Sequence, residues 1–245
     1  MQCLEITDLR NRLIRQEETI IFALIERAQF ELNPTIYEPG RIPMPDFDGC
    51  FSDFLLFRTE CLHAMVRRYT SPDEHPFFEN LPVPILPHID YPEVIRETSI
   101  NVNDRILSLY KSHILPAICR LGDDGQYGSS ATCDVACLQA LSMRIHYGKF
   151  VAETKYRQDL GAYGRIIRDG DRDAILECLT DADVEAGIYR RVERKAATYG
   201  RDIDVDGDVG VYKISPAEIA KIYRKWIIPL TKEVEVDYLL LRLDG

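Results

Sequence analysis

Two long cations, Arg144 and Lys155, stand eleven residues apart in the chain. Eleven residues at about 100° each return to nearly the same azimuth of a helix, so both side chains project from one face. Gly148 and Val151 lie between them on that face, at steps of 4, 3 and 4. Next to it runs an apolar stripe, Leu138, Leu141, Ile145, Gly148 and Ala152, which marks the buried side. Two cations bracketing small or apolar residues beside a core face suit a small anion. The competing reading is a solvated basic edge, the ordinary setting of a single Arg or Lys. Other polar groups also stand beside apolar stripes. Arg10 and Glu17 flank the stripe of the first helix, Glu185 and Arg191 lie on the segment that ends at Gly200, and Thr231 and Glu235 are i,i+4 neighbours on the last helix.

The elements that would position these groups are all helical. A first helix is predicted from Leu4 to Leu32, with Leu9, Leu13, Ile20 and Leu24 inward, stopped by Asn33-Pro34. After a Pro-rich turn, 34–45, a second helix is predicted over Ser52–Tyr69, ending before Ser71-Pro72 with Arg67 and Arg68 in its last turn. Six prolines in 71–92 mark an irregular connector. A helix over Val102–Leu121 is interrupted at Pro116, and the loop 122–130 follows. Ser129 or Ser130 is expected to cap one long central helix, of which 142–155 is the middle. Shorter helices fit 159–169, 171–179 and 180–200. After an acidic loop at 201–210, a last helix runs from Ser215-Pro216 to about Leu243, kinked at Pro229. No stretch keeps strand alternation and no repeat is visible, so the fold class is all-α, a bundle of long helices in a single domain over 1–245.

Composition narrows the function. A net charge of −10 argues against a broad nucleic-acid surface but leaves room for one cationic pocket. The seven cysteines are odd in number, scattered and without a CxxC, which fits reduced thiols rather than a disulfide or zinc framework. No apolar run reaches the ~18 residues of a membrane span. The chain opens directly into helical periodicity without a signal-peptide pattern, so a cytoplasmic protein is expected. A plastid is the alternative if a transit peptide has been trimmed. The stretch Asp202-Ile203-Asp204-Val205-Asp206-Gly207 opens like a calcium loop, but its twelfth position is Lys213 where calcium needs a bidentate Glu. The histidines lack metal spacing, and His146 reads as a packed core residue. Neither a serine-nucleophile motif nor a phosphate-cradling glycine loop occurs, so no metal and no cofactor is expected.

Four long stretches then resemble one family: LRNRLIRQEETIIFALIERAQF (9–30), SPDEHPFF (71–78), GDDGQYGSSATCDVACLQALSMRIHYGKFVAE (122–153) and PLTKEVEVDYLLLRL (229–243). They are similar to the all-helical chorismate mutases of yeast and plants, with a texture nearer to plants. The resemblance implies conversion of the dicarboxylate chorismate to prephenate by an intramolecular pericyclic (Claisen) rearrangement, in phenylalanine and tyrosine synthesis. Such a reaction needs no nucleophile, metal or cofactor. It needs the compact conformer held and charge developing on the ether oxygen stabilised.

By the same resemblance, Arg10 and Arg144 pair with the two carboxylates, Lys155 and Glu235 donate to the ether oxygen, Glu185 takes the ring hydroxyl and Thr231 lines the site. Plant-type members generally carry Gln where this chain has Glu235. A carboxyl donates only when protonated, so activity should fall as pH rises through its pKa. Asp181, where the yeast type has Asn, would repel a dianion and is left out of the catalytic set. The resemblance also implies a homodimer with a second site at its interface for the aromatic amino acids Trp, Tyr and Phe, matched here by Arg67, Arg68, Gly128, Ser129 and Thr132. Gly125, Gln126 and Ser215 depart from the regulated yeast pattern. Two rivals stand beside this reading, a silent homologue that only binds amino acids or a partner, and a helical scaffold with surface charge.

Overall fold

The computed structural model describes residues 6–201 and 212–241. The calcium-loop-like stretch at 202–207 and most of the acidic loop lie outside the described residues. Eleven α-helices follow one another among them: α1 (Ile6–Arg27), α2 (Phe51–Met65), α3 (Asn103–Leu109), α4 (Leu115–Ile118), α5 (Tyr127–His146), α6 (Gly148–Gln158), α7 (Leu160–Arg168), α8 (Arg172–Leu179), α9 (Ala182–Tyr199), α10 (Pro216–Ile222) and α11 (Ile228–Leu240). No strand is present among the described residues, only an isolated bridge between Arg201 and Tyr212. The main core lies where α1 packs along α5, with Ile20, Ile21, Leu24, Leu138 and Leu141 all excluded from water. Each such side chain contributes roughly 1.5–3 kcal/mol of burial. α9 packs on α10 and α1, and α11 on α6 and α8.

α1 ends five residues before the predicted stop, and its own last side chain explains why. Arg27 is fully buried and turns its guanidinium onto the carbonyl oxygens of Glu31 and Leu32, both at 3.0 Å, so these bond to a side chain instead of a further turn. Its Nε donates to Asp134 Oδ1 on α5 at 2.7 Å, and the same carboxylate accepts from Tyr110 and Tyr37. A buried pair survives only with its remaining lone pairs satisfied in this way.

Both expected proline breaks are present, in a particular form. A π-helical turn, Tyr110–Ile114, precedes Pro116, and another, Tyr223–Ile227, precedes Pro229. Proline removes a backbone donor and crowds the preceding turn, and a π-turn absorbs the lost register while the chain stays helical. α2 ends earlier than predicted, at Met65, because Arg67 adopts a left-handed conformation (φ 71°).

The central helix is two helices rather than one. It breaks at Tyr147, whose carbonyl accepts from Phe150 N at 3.0 Å in a tightened turn. Nor do Ser129 and Ser130 cap it. The helix already begins at Tyr127, Asp124 Oδ1 accepts from Gln126 N at 2.9 Å, and Ser130 Oγ accepts from Asn33 Nδ2 inside the fold. Asp159, Asp171 and Asp181 cap α7, α8 and α9 through their side chains.

Gly148, the first residue of α6, lies against α11. A Cβ there would come within 2.9 Å of the Thr231 carbonyl oxygen and 3.2 Å of Glu235 Cγ. Gly148→Ala is therefore expected to cost about 1–3 kcal/mol, since backbone cannot yield as a side chain can. Thermal unfolding checks this, and a melting temperature equal to wild type would contradict the close approach.

Candidate active site

Arg144 sits in the last turn of α5 and is buried, 3% exposed. Its Nη1 reaches Thr231 Oγ1 at 3.4 Å, while its Nε has no partner. Thr231 gives its own proton to Ile227 O at 2.6 Å, so its oxygen is left to accept from the guanidinium. Lys155 lies beyond the Tyr147 break on α6, and its ammonium donates to the Leu179 carbonyl at the end of α8, at 2.5 Å. Both cations line one cavity of about 610 Å³, and Arg10 lines it from α1 as an exposed residue. The shared face expected from their spacing thus opens onto one space despite the break between the two helices.

The remaining wall was only partly anticipated. Glu17 lines the cavity, is 1% exposed, and is held by Arg191 of α9 through paired bonds of 2.9 and 2.5 Å and by Lys195 at 3.4 Å. The signal for Glu17 was its place seven residues after Arg10 on the stripe flanking the core; the one for Arg191 was its place on α9, but nothing in the sequence paired them. The end of α8 contributes Cys178 and Leu179, and the connector to α9 contributes Thr180 and Asp181. Asp181 has a structural occupation there, because its Oδ1 accepts from the amides of Asp183 and Val184. Among the described lining residues, four cations face two carboxylates, leaving two positive charges, which matches a dianion.

Thr231, Glu235 and Glu185 are not part of the cavity lining. Thr231 and Glu235 form the layer against Arg144 and Gly148. Glu235 is 5% exposed, and burial pushes its carboxyl up to about 7 from an ordinary 4.5, against the pull of Lys155, Arg144 and Lys232. Val184, Gly187, Ile188 and Arg191 give the cavity-facing side of α9, and the Glu185 carboxylate beside them is held by Lys232, at 2.8 Å.

His146 is a core residue, as its setting in the sequence suggested. Its Nε2 accepts from Val102 N at 3.0 Å, its Nδ1 donates to Ser142 O at 2.9 Å, and burial drives its pKa down to about 3, so the ring is neutral. No group of three or more possible metal ligands gathers among the described residues.

The residues matched to an effector site fall into two groups on neighbouring helices. Arg67 donates to Pro87 O, and Arg68 is paired with Glu74 and reaches Gln139 Oε1 on α5 at 3.3 Å. Gly128, Ser129 and Thr132 are exposed in the first turns of α5, with Thr132 Oγ1 donating to Gly128 O at 2.8 Å. Gln139 lies seven residues, roughly 10 Å, down the helix from Thr132. No cavity described within the one chain holds both groups. Gly125, just before α5, has φ 73°, a left-handed conformation that glycine adopts at no steric cost.

Comparison with known proteins identifies the family and the fold. The family model of chorismate mutase type II matches residues 126–236. The chain is 50% identical over 243 residues to chorismate mutase 1, chloroplastic, of Petunia hybrida, spanning 96% of this chain and 75% of that one. It superposes on the crystal structure of AtCM1 with tyrosine bound in its allosteric site with a TM-score of 0.91, at 48% identity, covering 98% of this chain and 97% of the other. Against the Aro7p chorismate mutase of Candida albicans in complex with L-Trp the TM-score is 0.92 at 44% identity, covering 98% and 92%. No helix among the described residues is long and apolar enough to cross a membrane. A helical scaffold with surface charge does not account for such agreement over the whole length, and the chain belongs to the eukaryotic, all-helical chorismate mutases.

Proposed function

We propose that the 610 Å³ cavity is where this chorismate mutase converts chorismate to prephenate. The single observation that supports it most is the excess of two positive charges in the lining, with a buried Arg144 whose Nε is unpartnered. Arg10 and Arg144 take the two carboxylates, as planar guanidinium groups do through paired hydrogen bonds. Holding both ends brings the vinyl ether side chain over the ring and removes much of the entropic part of the barrier. As the ether bond breaks, its oxygen gains negative charge. Lys155 and protonated Glu235 donate to it, and this interaction is stronger in the transition state than in the bound substrate. Glu185 accepts the ring hydroxyl and Thr231 shapes the wall beside Arg144. No bond forms to the protein at any stage. Absorbance loss of chorismate, with prephenate as product, tests the assignment. A folded protein without conversion at any pH would instead favour a silent homologue.

The same 245 residues carry, in this reading, a single domain with a second site, formed when two copies associate. Arg67 and Arg68 from the end of α2 and Gly128, Ser129 and Thr132 from the start of α5 would hold an aromatic amino acid, the helix N-terminus and hydroxyls serving its polar groups. What supports this is that relatives bind tyrosine and L-Trp, and that the two groups share no cavity within one chain. Arg68→Ala is expected to abolish any change in rate that Trp or Tyr causes while leaving the unliganded rate within about twofold, because the residue does not line the catalytic cavity. An unaltered response would remove Arg68 from the site. The six described cysteines are all free, which suits a reducing compartment, the cytoplasm in the first place and the plastid as the alternative.

A further inference from the structure

Lys232 follows Thr231 on α11 and spans to the beginning of α9. Its ammonium donates to Glu185 Oε1 at 2.8 Å and to Thr180 Oγ1 at 3.2 Å. Tyr189 donates to the other Glu185 oxygen at 3.2 Å, so both oxygens of this carboxylate are held. The ion pair is largely shielded, its side chains 20% and 21% exposed. On the neighbouring side of the same connector, Lys155 holds the Leu179 carbonyl. Two lysines, one from α6 and one from α11, thus pin residues 179–180, and both residues line the cavity. Lys232 itself is not among the lining residues.

We propose that Lys232 is a positioning residue for the rearrangement, fixing the Glu185 carboxylate and the Thr180 turn against α11 so that the receiver of the ring hydroxyl is set before substrate enters. This rests on the assignment of the ring hydroxyl to Glu185. Glu185 lies close enough to Glu235 to act on its charge, and the ties to Lys232 and Tyr189 fix where its carboxylate stands. Lys232 has a second consequence. The groups facing the Glu235 carboxyl are Arg144 from α5, Lys155 from α6, Tyr163 from α7, Glu185 from α9 and Lys232 on its own helix. Removing Lys232 takes away one of the three cations that favour ionised Glu235, so the alkaline limb of activity moves to higher pH.

The test is kcat and KM for chorismate from acidic to basic pH, in wild type, Lys232→Met, Lys232→Arg, Glu185→Ala and the double variant Lys232→Met/Glu185→Ala. The proposal expects Lys232→Met to raise KM by about tenfold with a smaller change in kcat, and to move the alkaline limb upward. Lys232→Arg recovers KM, and the double variant is no worse than Glu185→Ala, because the two residues act as one unit. Losses that add in the double variant overturn the proposal. A lowered melting temperature with KM and the limb unchanged overturns it too, leaving a purely structural tie. If Glu185→Ala alone changes nothing, the assignment of the ring hydroxyl fails, and the proposal fails with it.

Discussion

Lys155→Met is expected to lower kcat by about 10³-fold while leaving the fold intact, since the loss of one preorganised donor to a developing oxyanion costs on the order of 10²–10³ and this donor is charged. The methionine keeps the length and apolar stem of the lysine. The structural interaction it forfeits is the bond to the Leu179 carbonyl. The defect should fall on kcat more than on KM, because chorismate in its ground state has little charge on the ether oxygen while the transition state has much. Arg144→Ala is expected to differ in kind. It removes a carboxylate partner needed by substrate and transition state alike, and it leaves the Thr231 hydroxyl without its donor, so KM rises together with the fall in kcat. Steady-state kinetics on both variants distinguish the roles. A Lys155→Met enzyme with kcat within a few-fold of wild type would remove Lys155 from the ether oxygen.

The second large effect is the dependence on pH set by Glu235. Its carboxyl is pushed up to about 7 by burial, and only the protonated form donates. Activity should therefore fall about tenfold per pH unit above that value, or about 100-fold two pH units above it. The dianionic substrate adds negative charge nearby and raises the pKa further in the complex, so the limb in kcat lies at higher pH than the limb in kcat/KM. Glu235→Gln supplies an amide donor at every pH and should flatten both limbs. The raised pKa also bears on stability. A carboxyl whose folded pKa lies above its unfolded value favours the folded state fully below about 4.5, and that contribution is lost as pH rises through about 7. The loss amounts to about 3 kcal/mol, at about 1.36 kcal/mol for each pH unit between the two values. Glu235→Gln should accordingly raise the melting temperature at basic pH but not at acidic pH. An alkaline limb that survives in the Gln variant would show that another group titrates.

The cationic face that opens this site could be read from spacing alone, because Tyr147 keeps a right-handed helical conformation (φ −63°, ψ −13°) and the eleven-residue interval survives the break. Its break could not. Tyr147 carries no helix-breaking chemistry, and the break falls where Gly148 passes close to the Thr231 carbonyl. The prolines at 116 and 229 announced interruptions, but the π-turns that absorb them depend on how the flanking side chains pack. The early end of α1 was hidden for a similar reason. Arg27 in a helical run looks like an ordinary solvated cation, and only its partner Asp134, more than a hundred residues on, draws it into the core. The serines before the central helix looked like caps because their residue type permits it, whereas Asp123 and Asp124 reach the amides of Gly125 and Gln126 first. Within the site, Glu235 and Thr231 were legible as one helix face. The pairing of Glu17 with Arg191 was not, since no local rule links residues so far apart.

The central claim is that two guanidinium groups hold the dianion while Lys155 and Glu235 meet the ether oxygen. A crystal structure of the protein with a dicarboxylate analogue of the pericyclic transition state tests it most directly, because such analogues bind where the transition state does. The account predicts one carboxylate on Arg10, the other on Arg144, and the Lys155 ammonium and the Glu235 carboxyl both about 3 Å from the ether oxygen. An analogue lodged elsewhere, or one whose ether oxygen faces neither Lys155 nor Glu235, would contradict it.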